Sequence, residues 1–165
     1  MIKPNISKAE KVEIGIEEKD KEKIAKNLSV FLASTYTLYI KSLNYHWNIK
    51  GRHFHSIHEL TEKLYQDLHE AGDEIAERIR ALGYLAPGSL KEYLNLSQIK
   101  EDDSLPEKYE NMLKNLINDN ELMVREARKI IEHASGAGDE VTVDLLVGRM
   151  SKHEHLAWMF RSFFE

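Results

Sequence analysis

The stretch SIHELTEKLYQDLHEAGDEIAERIRALG, residues 56–83, decides the fold. Within it Ile57, Leu60, Leu64, Leu68, Ala71, Ile75, Ile79 and Leu82 recur at three- and four-residue steps, the period of one face of a helix. Ser56 followed by Glu59 fits a capping box at the start, and Gly83 fits a stop. The spacing predicts one long amphipathic helix. Gly72 in its interior costs roughly 1 kcal/mol in helix propensity, which close approach of a partner helix would compensate.

Upstream, from about Asp20, the residues Ile24, Leu28, Phe31, Leu32, Tyr36, Tyr39 and Leu43 keep the same period, so a first helix runs to near Asn48 with Gly51 beyond it. Downstream, Pro87 and Gly88 break the chain, and Ser89 to Leu96 suits one or two helical turns. The capping pair Ser104 and Glu107 opens a third long helix through Met112, Leu116, Met123, Ala127 and Ile130, ending before Gly136 and Gly138. A fourth starts at about Asp139 and carries Leu145, Leu146, Met150, Leu156 and Phe160 to the end. The expectation is an all-α protein: a four-helix bundle over residues 20–165 with a short helix in the long crossover between helices 2 and 3. The Met and aromatic residues on these stripes read as core filler. Residues 1–19 alternate Lys and Glu without a sustained apolar period and read as a flexible N-terminal tail.

A chain of 165 residues, 42% of them hydrophobic, supports one core and one domain. Eight Gly and three Pro are too few for the many tight turns of a sandwich or barrel. The absence of cysteine removes disulfides, thiolate metal sites and cysteine nucleophiles, so any metal must be held by nitrogen and oxygen. No segment approaches a membrane span and the N-terminus has no apolar signal region, so no membrane partner and a cytoplasmic location are expected. A formal charge of -5 argues against a broad cationic surface for nucleic acid and favours metal cations as partners.

Chemistry is concentrated in residues 46–77. His58 and Glu62 lie four apart, as do Asp73 and Glu77, so each pair shares a helix face and suits a divalent metal. Glu62 and Asp73 return to nearly one face, but roughly 16 Å of helix rise separates them. One ion cannot touch both pairs within a straight helix. Two copies of the helix packed antiparallel about a two-fold axis would bring His58 and Glu62 of one chain opposite Asp73 and Glu77 of the other, which implies a dimer with two equivalent sites. His46, folded back across the bend at Gly51, adds a second imidazole. Two imidazoles with three carboxylates suit iron better than calcium or magnesium, which prefer oxygen shells. Taken singly, a helical carboxylate is usually a solvated charge and a histidine at a helix start usually a cap or surface group. His53, His55, His69, His133, His153 and His155 read as surface residues.

The run Tyr45-His46-Trp47-Asn48-Ile49-Lys50-Gly51, followed by His55, His58-Glu59-Leu60 and Asp73-Glu74-Ile75-Ala76-Glu77-Arg78, resembles the signature of the Dps family, the bacterial mini-ferritins. The resemblance covers the chain from about residue 20 to the C-terminus. It implies a ferritin-like bundle, a homo-oligomeric shell of twelve subunits, and an intersubunit ferroxidase site on the residues that His46, His58, Asp73 and Glu77 match. It further implies iron as the metal, with Fe²⁺ oxidised by hydrogen peroxide more often than by dioxygen and Fe³⁺ stored as mineral. Trp47 matches a family tryptophan that donates electrons and intercepts radicals near the iron. Glu62 departs from the usual Asp: the extra methylene either keeps the ligand with a shifted metal position or weakens one of two iron positions. By the same resemblance some of Asp139, Glu140 and Asp144 line a three-fold entry pore, although carboxylates at a helix start also serve the helix dipole.

No histidine has Glu three residues before it, so the Glu-x-x-His motif of di-iron sites held inside one bundle is absent. The remaining alternative is a non-enzymatic, DNA-compacting or structural shell. Family DNA association often uses a Lys-rich tail. The tail here carries Lys3, Lys8 and Lys11 but is not net basic.

Overall fold

In the computed structural model, which describes residues 6–106 and 108–164, the apolar stripe of residues 56–83 lies in a helix spanning Phe54–Ala81, α2. The others follow in chain order: α1 spans Glu18–Asn48, α3 Leu90–Leu96, α4 Tyr109–Gly136 and α5 Glu140–Arg161, with a 3₁₀ turn at Ser162–Phe164. No strand occurs among the described residues. α1 packs along α2 and α4 along α5, while α1 also meets α4 and α2 meets α5. The short α3 lies on α1 within the crossover. This is the expected all-α four-helix bundle.

The core is the sum of the four stripes. Ile24, Leu28 and Leu32 of α1, Leu64, Leu68, Ile75 and Ile79 of α2, Leu113, Leu116 and Met123 of α4, and Leu146 and Phe160 of α5 are buried completely. Each such side chain contributes about 1.5–3 kcal/mol relative to exposure. Tyr36 and Tyr39, expected on the α1 stripe, are half-buried at its edge, and Tyr45 takes the core position near the C-terminal end of α1. Buried hydroxyls do not go unpaired. Ser29, Thr35, Thr37 and Ser42 each donate to the carbonyl four residues earlier.

Two expected caps do not form. α2 opens two residues before Ser56, with His53 at the N-cap and no side-chain cap bond. α4 opens at Tyr109 with Lys108 as N-cap and no side-chain cap bond, and Glu107 of the expected Ser104–Glu107 pair lies outside the described residues. A capping box does close at α3: Ser89 Oγ accepts the Glu92 amide at 3.3 Å and the Glu92 carboxylate accepts the Ser89 amide at 3.2 Å. Asp139 caps α5, accepting the Thr142 amide at 3.0 Å.

Of the segment expected to be a tail, residues 1–5 lie outside the described residues. From Ile6 onward the chain runs beside the end of α2. The Ala9 amide donates to the Gly83 carbonyl at 2.9 Å, the Leu85 amide donates to the Ser7 carbonyl at 2.9 Å, and Ile6 packs against the core. Gly83 has φ +92°, and a Cβ there would sit 2.9 Å from the Glu10 carbonyl oxygen, so only glycine suits this crossing. Arg80 pairs with Glu10 at 3.2 Å, and Lys8 with Glu18 at 2.9 Å. The Tyr84 hydroxyl donates to Glu18 at 2.6 Å and, with Lys8 and Lys21, holds that carboxyl down to about 2.

His153, expected at the surface, is instead fully buried on α5. Its Nδ1 bonds Asn120 Oδ1 at 2.8 Å, and its ring meets Phe31 edge to face. Arg149, one turn before it, pairs with Asp67 of α2 at 2.5 Å. Burial, then the charge of Arg149, lowers the His153 pKa to about 3 from 6.5, against a smaller opposing effect of Asp67. The unfolded chain therefore binds a proton below pH 6.5 that the folded chain refuses. Stability falls as pH drops from 6.5 toward 3, by up to about 1.4 kcal/mol per pH unit.

Two tests follow. His153→Gln keeps a donor for Asn120 and removes the titration, so its melting temperature should fall less steeply than the parent's between pH 6 and pH 4; parallel pH profiles would exclude the buried-histidine account. Gly72→Ala tests the helix approach. Its Cβ would meet Tyr36 Cζ at 2.9 Å, and that ring is already stacked on Tyr93. Overpacking of this kind costs about 1–3 kcal/mol, more than the roughly 1 kcal/mol gained in propensity, so the variant should melt lower. A higher melting temperature would show that the ring yields freely.

Candidate metal centre

Where the chain turns from α1 into α2, two imidazoles lock each other. His46 Nδ1 bonds the His58 carbonyl at 2.9 Å, and His58 Nδ1 bonds the His46 carbonyl at 2.9 Å. A carbonyl can only accept, so both Nδ1 atoms carry hydrogen, and in the neutral ring Nε2 holds the lone pair. The rings stack with centroids 3.7 Å apart at 18°. Thr61 Oγ1 sits 3.3 Å from His46 Nδ1 and donates to the His58 carbonyl at 2.9 Å, bracing the same lock. An Nδ1 hydrogen bond to a backbone carbonyl is the arrangement that orients a metal-binding histidine and raises the basicity of its other nitrogen. The turn itself uses Gly51 at φ +111°.

Glu62 follows His58 by one helical turn and is half-buried. Its Oε1 accepts from the Tyr65 hydroxyl at 3.4 Å and from Gln66 Nε2 at 3.3 Å. The Tyr65 ring stands edge to face on His46 at 5.2 Å, so Tyr65 bridges the carboxylate and the imidazole pair. Partial burial, then the Glu62 charge, pushes the Tyr65 phenol up. Neither Tyr65 nor Thr61 was singled out by motif reading. Their spacing of three and minus one from Glu62 was visible, but tyrosine and threonine on a helix carry no ligand signature of their own.

The structure brings His46, His58 and Glu62 to one end of the bundle. It does not bring Asp73 and Glu77 to them. Both lie on the same continuous α2, with about 16 Å of rise between Glu62 and Asp73. Both are exposed, and neither forms a hydrogen bond or ion pair among the described residues. Other acids on the bundle are committed: Asp67 to Arg149, Asp119 to Lys41 at 2.7 Å, and Asp139 to Arg78 at 2.6 Å. Among the described residues of one chain no three His, Asp or Glu side chains converge on a metal-sized point. The donor set is chemically suited to iron, with two nitrogen lone pairs and hard carboxylates, but it is spread over two places.

Trp47 beside His46 is 68% exposed, so it is not packed into the helix end. His69 is exposed and faces Tyr39, with ring centroids 5.9 Å apart. Of the three acids at the start of α5, Asp139 is buried and bonded to Thr142 and Arg78, which makes it a cap and an ion-pair partner; Glu140 and Asp144 are exposed.

Known proteins share this fold. The Ferritin-like domain family model matches residues 25–165. A DNA protection during starvation protein from Porphyromonas gingivalis is 38% identical over 149 residues, covering 90% of this chain and 93% of the relative. DNA protection during starvation protein 2 from Bacillus anthracis is 40% identical over 132 residues, covering 80% and 90%. The crystal structure of the Dps protein from Vibrio cholerae, described as a member of a broad superfamily of ferritin-like diiron-carboxylate proteins, superposes with a TM-score of 0.87 at 32% identity, over 96% of this chain and 99% of that one. A bundle with this crossover, a family model matching residues 25–165 and relatives of this identity over most of its length place the chain in the Dps family of the ferritin-like superfamily.

Proposed function

We propose that the protein is a ferroxidase and iron store: it binds Fe²⁺ as substrate between two subunits, oxidises it with hydrogen peroxide and deposits Fe³⁺ mineral inside a shell of twelve copies. The observation that carries this reading is the reciprocal His46–His58 lock, which leaves two Nε2 lone pairs aimed away from the backbone carbonyls that hold them. Asp73 and Glu77 of a partner chain, uncommitted in their own, complete the site across a two-fold axis. Glu62 supplies the remaining carboxylate, and Trp47 stands beside the site as an exposed electron donor. Hard anionic oxygens stabilise Fe³⁺ more than Fe²⁺, so the completed set favours oxidation. Consuming Fe²⁺ together with peroxide removes the reactants of hydroxyl-radical chemistry. A cytoplasmic location belongs to this reading. Asp144 and Glu140, exposed at the start of α5, are the candidates for an entry pore, and Asp139 is withdrawn from that role.

The reading as a DNA-compacting shell is disfavoured by the N-terminal segment. Lys8 is paired with Glu18 and Lys11 with Glu13 at 2.5 Å, so these cations are partly neutralised where they lie, while Lys3 falls outside the described residues. The relatives named for DNA protection are compatible with protection by chemistry.

Two measurements check this reading. Prepare one variant with His46→Gln and His58→Gln and another with Asp73→Asn and Glu77→Gln. Each alone should lose rapid Fe²⁺ oxidation. In mixed assemblies verified by mass, some interfaces combine intact histidines from one chain with intact acids from the other, so part of the rate should return. Mixed assemblies as inactive as either parent variant would show that the site is not shared between chains. In a gel-shift titration at moderate salt the protein should leave duplex DNA unshifted, since phosphate contacts need free cations and weaken with salt; a salt-resistant shift would restore the DNA reading.

A further inference from the structure

A row of phenols leads away from the imidazole pair. His46 meets Tyr65 at 5.2 Å, Tyr65 meets Tyr39 at 6.4 Å, Tyr39 meets Tyr36 at 6.4 Å, and Tyr36 stacks on Tyr93 at 4.7 Å and 9°. The first three contacts are edge to face, the geometry ring quadrupoles prefer. The row crosses three helices: Tyr65 on α2, Tyr39 and Tyr36 one turn apart on α1, and Tyr93 on α3. Gly72 makes room for it, since any Cβ there would press on the Tyr36 ring.

Packing alone does not call for this choice of residue. Phe31 and Phe160 fill the interior proper, whereas all four rings of the row are half-buried and carry hydroxyls. Two of those hydroxyls have protein acceptors: Tyr65 donates to Glu62, and Tyr93 donates to the Pro87 carbonyl at 3.1 Å. Phenylalanine would pack the same stripe. What phenylalanine cannot do is lose an electron at accessible potential. Rings in contact exchange electrons readily, and a chain of identical groups has no large uphill step along it.

We infer that Tyr65, Tyr39, Tyr36 and Tyr93 form a one-electron relay that supplies the second electron when peroxide meets a site holding a single Fe²⁺. The inference rests on the ferroxidase reading above. Reduction of peroxide takes two electrons, and one Fe²⁺ gives one. With the relay, Fe²⁺ + H₂O₂ + Tyr65–OH gives Fe³⁺ + OH⁻ + H₂O + Tyr65–O•: the O–O bond breaks, iron and the phenol each lose one electron, and the phenol proton joins one of the two oxygens to form water. Tyr65–O• then takes a hydrogen atom equivalent from Tyr39–OH, and the vacancy moves on to Tyr36 and Tyr93. A later Fe²⁺ restores the row: Fe²⁺ + Tyr–O• + H₂O gives Fe³⁺ + Tyr–OH + OH⁻. The sum is two Fe²⁺ oxidised per peroxide with no free hydroxyl radical, even where Glu62 leaves one of the two iron positions weak. Trp47 is mostly exposed and joins no ring contact of this row among the described residues, so it is a separate donor.

The test loads the assembled protein with substoichiometric Fe²⁺ without oxygen, adds peroxide and freezes the mixture for electron paramagnetic resonance. A parallel sample receives a nitroso spin trap, and adducts are located by peptide mass mapping. The parent should show a tyrosyl signal with adducts reaching Tyr36 or Tyr93. Tyr65→Phe should lose the tyrosyl signal and release trappable hydroxyl radical. Tyr39→Phe should confine the adduct to Tyr65, and Tyr36→Phe should stop it at Tyr39. Tyr109→Phe, a phenol outside the row, should change neither signal nor location. These changes keep each ring, and circular dichroism verifies folding. With iron oxidation intact, adducts on Trp47 alone, an undiminished tyrosyl signal in Tyr65→Phe, or passage to Tyr93 in Tyr39→Phe would overturn the relay and leave the ferroxidase reading standing. Iron oxidation in the parent no faster than in buffer would overturn both.

Discussion

The paired bonds between His46 and His58 join the last turn of α1 to the second turn of α2, and much else depends on them. Of the two backbone carbonyls that take an Nδ1 hydrogen, one is among the final carbonyls of α1 and the other lies in the second turn of α2. The lock therefore pins the turn while fixing the tautomer and direction of both rings. The lock uses one edge of each imidazole and leaves the opposite edge out of it. A ring that satisfied its Nε2 in the fold would have nothing left for a metal.

The acids divide by the same logic. Asp67, Asp119 and Asp139 are each answered by a cation that is itself buried or nearly so, and these pairs tie α2 to α5 and α1 to α4. Desolvation makes such pairs poor sources of net stability, but removing one partner strands a charge, so they enforce one arrangement of the helices. Burial raises the Asp119 carboxyl even with Lys41 beside it. Glu62, Asp73 and Glu77 stay outside this internal network. Arg78, the cation next in sequence to Glu77, is drawn inward to Asp139, which leaves Glu77 without its neighbour's charge.

The buried polar groups of α5 show how the bundle tolerates chemistry it does not use. His153 and Asn120 satisfy each other on one edge, while His153 Nε2 and Arg149 Nε have no partner among the described residues. The cost of those atoms is carried by the surrounding apolar stripes. The N-terminal segment likewise trades freedom for backbone bonds to Gly83 and Leu85, and closes over the far end of α2 from the imidazole pair.

Helix number, order and type were legible in the sequence, because period 3.6 in apolar residues is a local property that survives without knowledge of neighbours. Ile57 to Leu82 fall inward as their spacing required. The separation of Glu62 from Asp73 was legible too, since helix rise is fixed by the backbone alone. Caps were less so: Ser56 and Ser104 had the right neighbours, but helix ends are settled by the backbone path of the adjoining turns, which moved α2 forward to Phe54 and set Tyr109 at the start of α4. His153 read as a surface residue because its type usually is, and only the packing of α5 against α4 buried it beside Asn120; Asp139 was legible as a helix-start carboxylate, but its pairing with Arg78 of α2 was not. The reciprocal imidazole lock and the phenol row were likewise decided in three dimensions. Both join residues on different helices, where distance in the chain says nothing about contact.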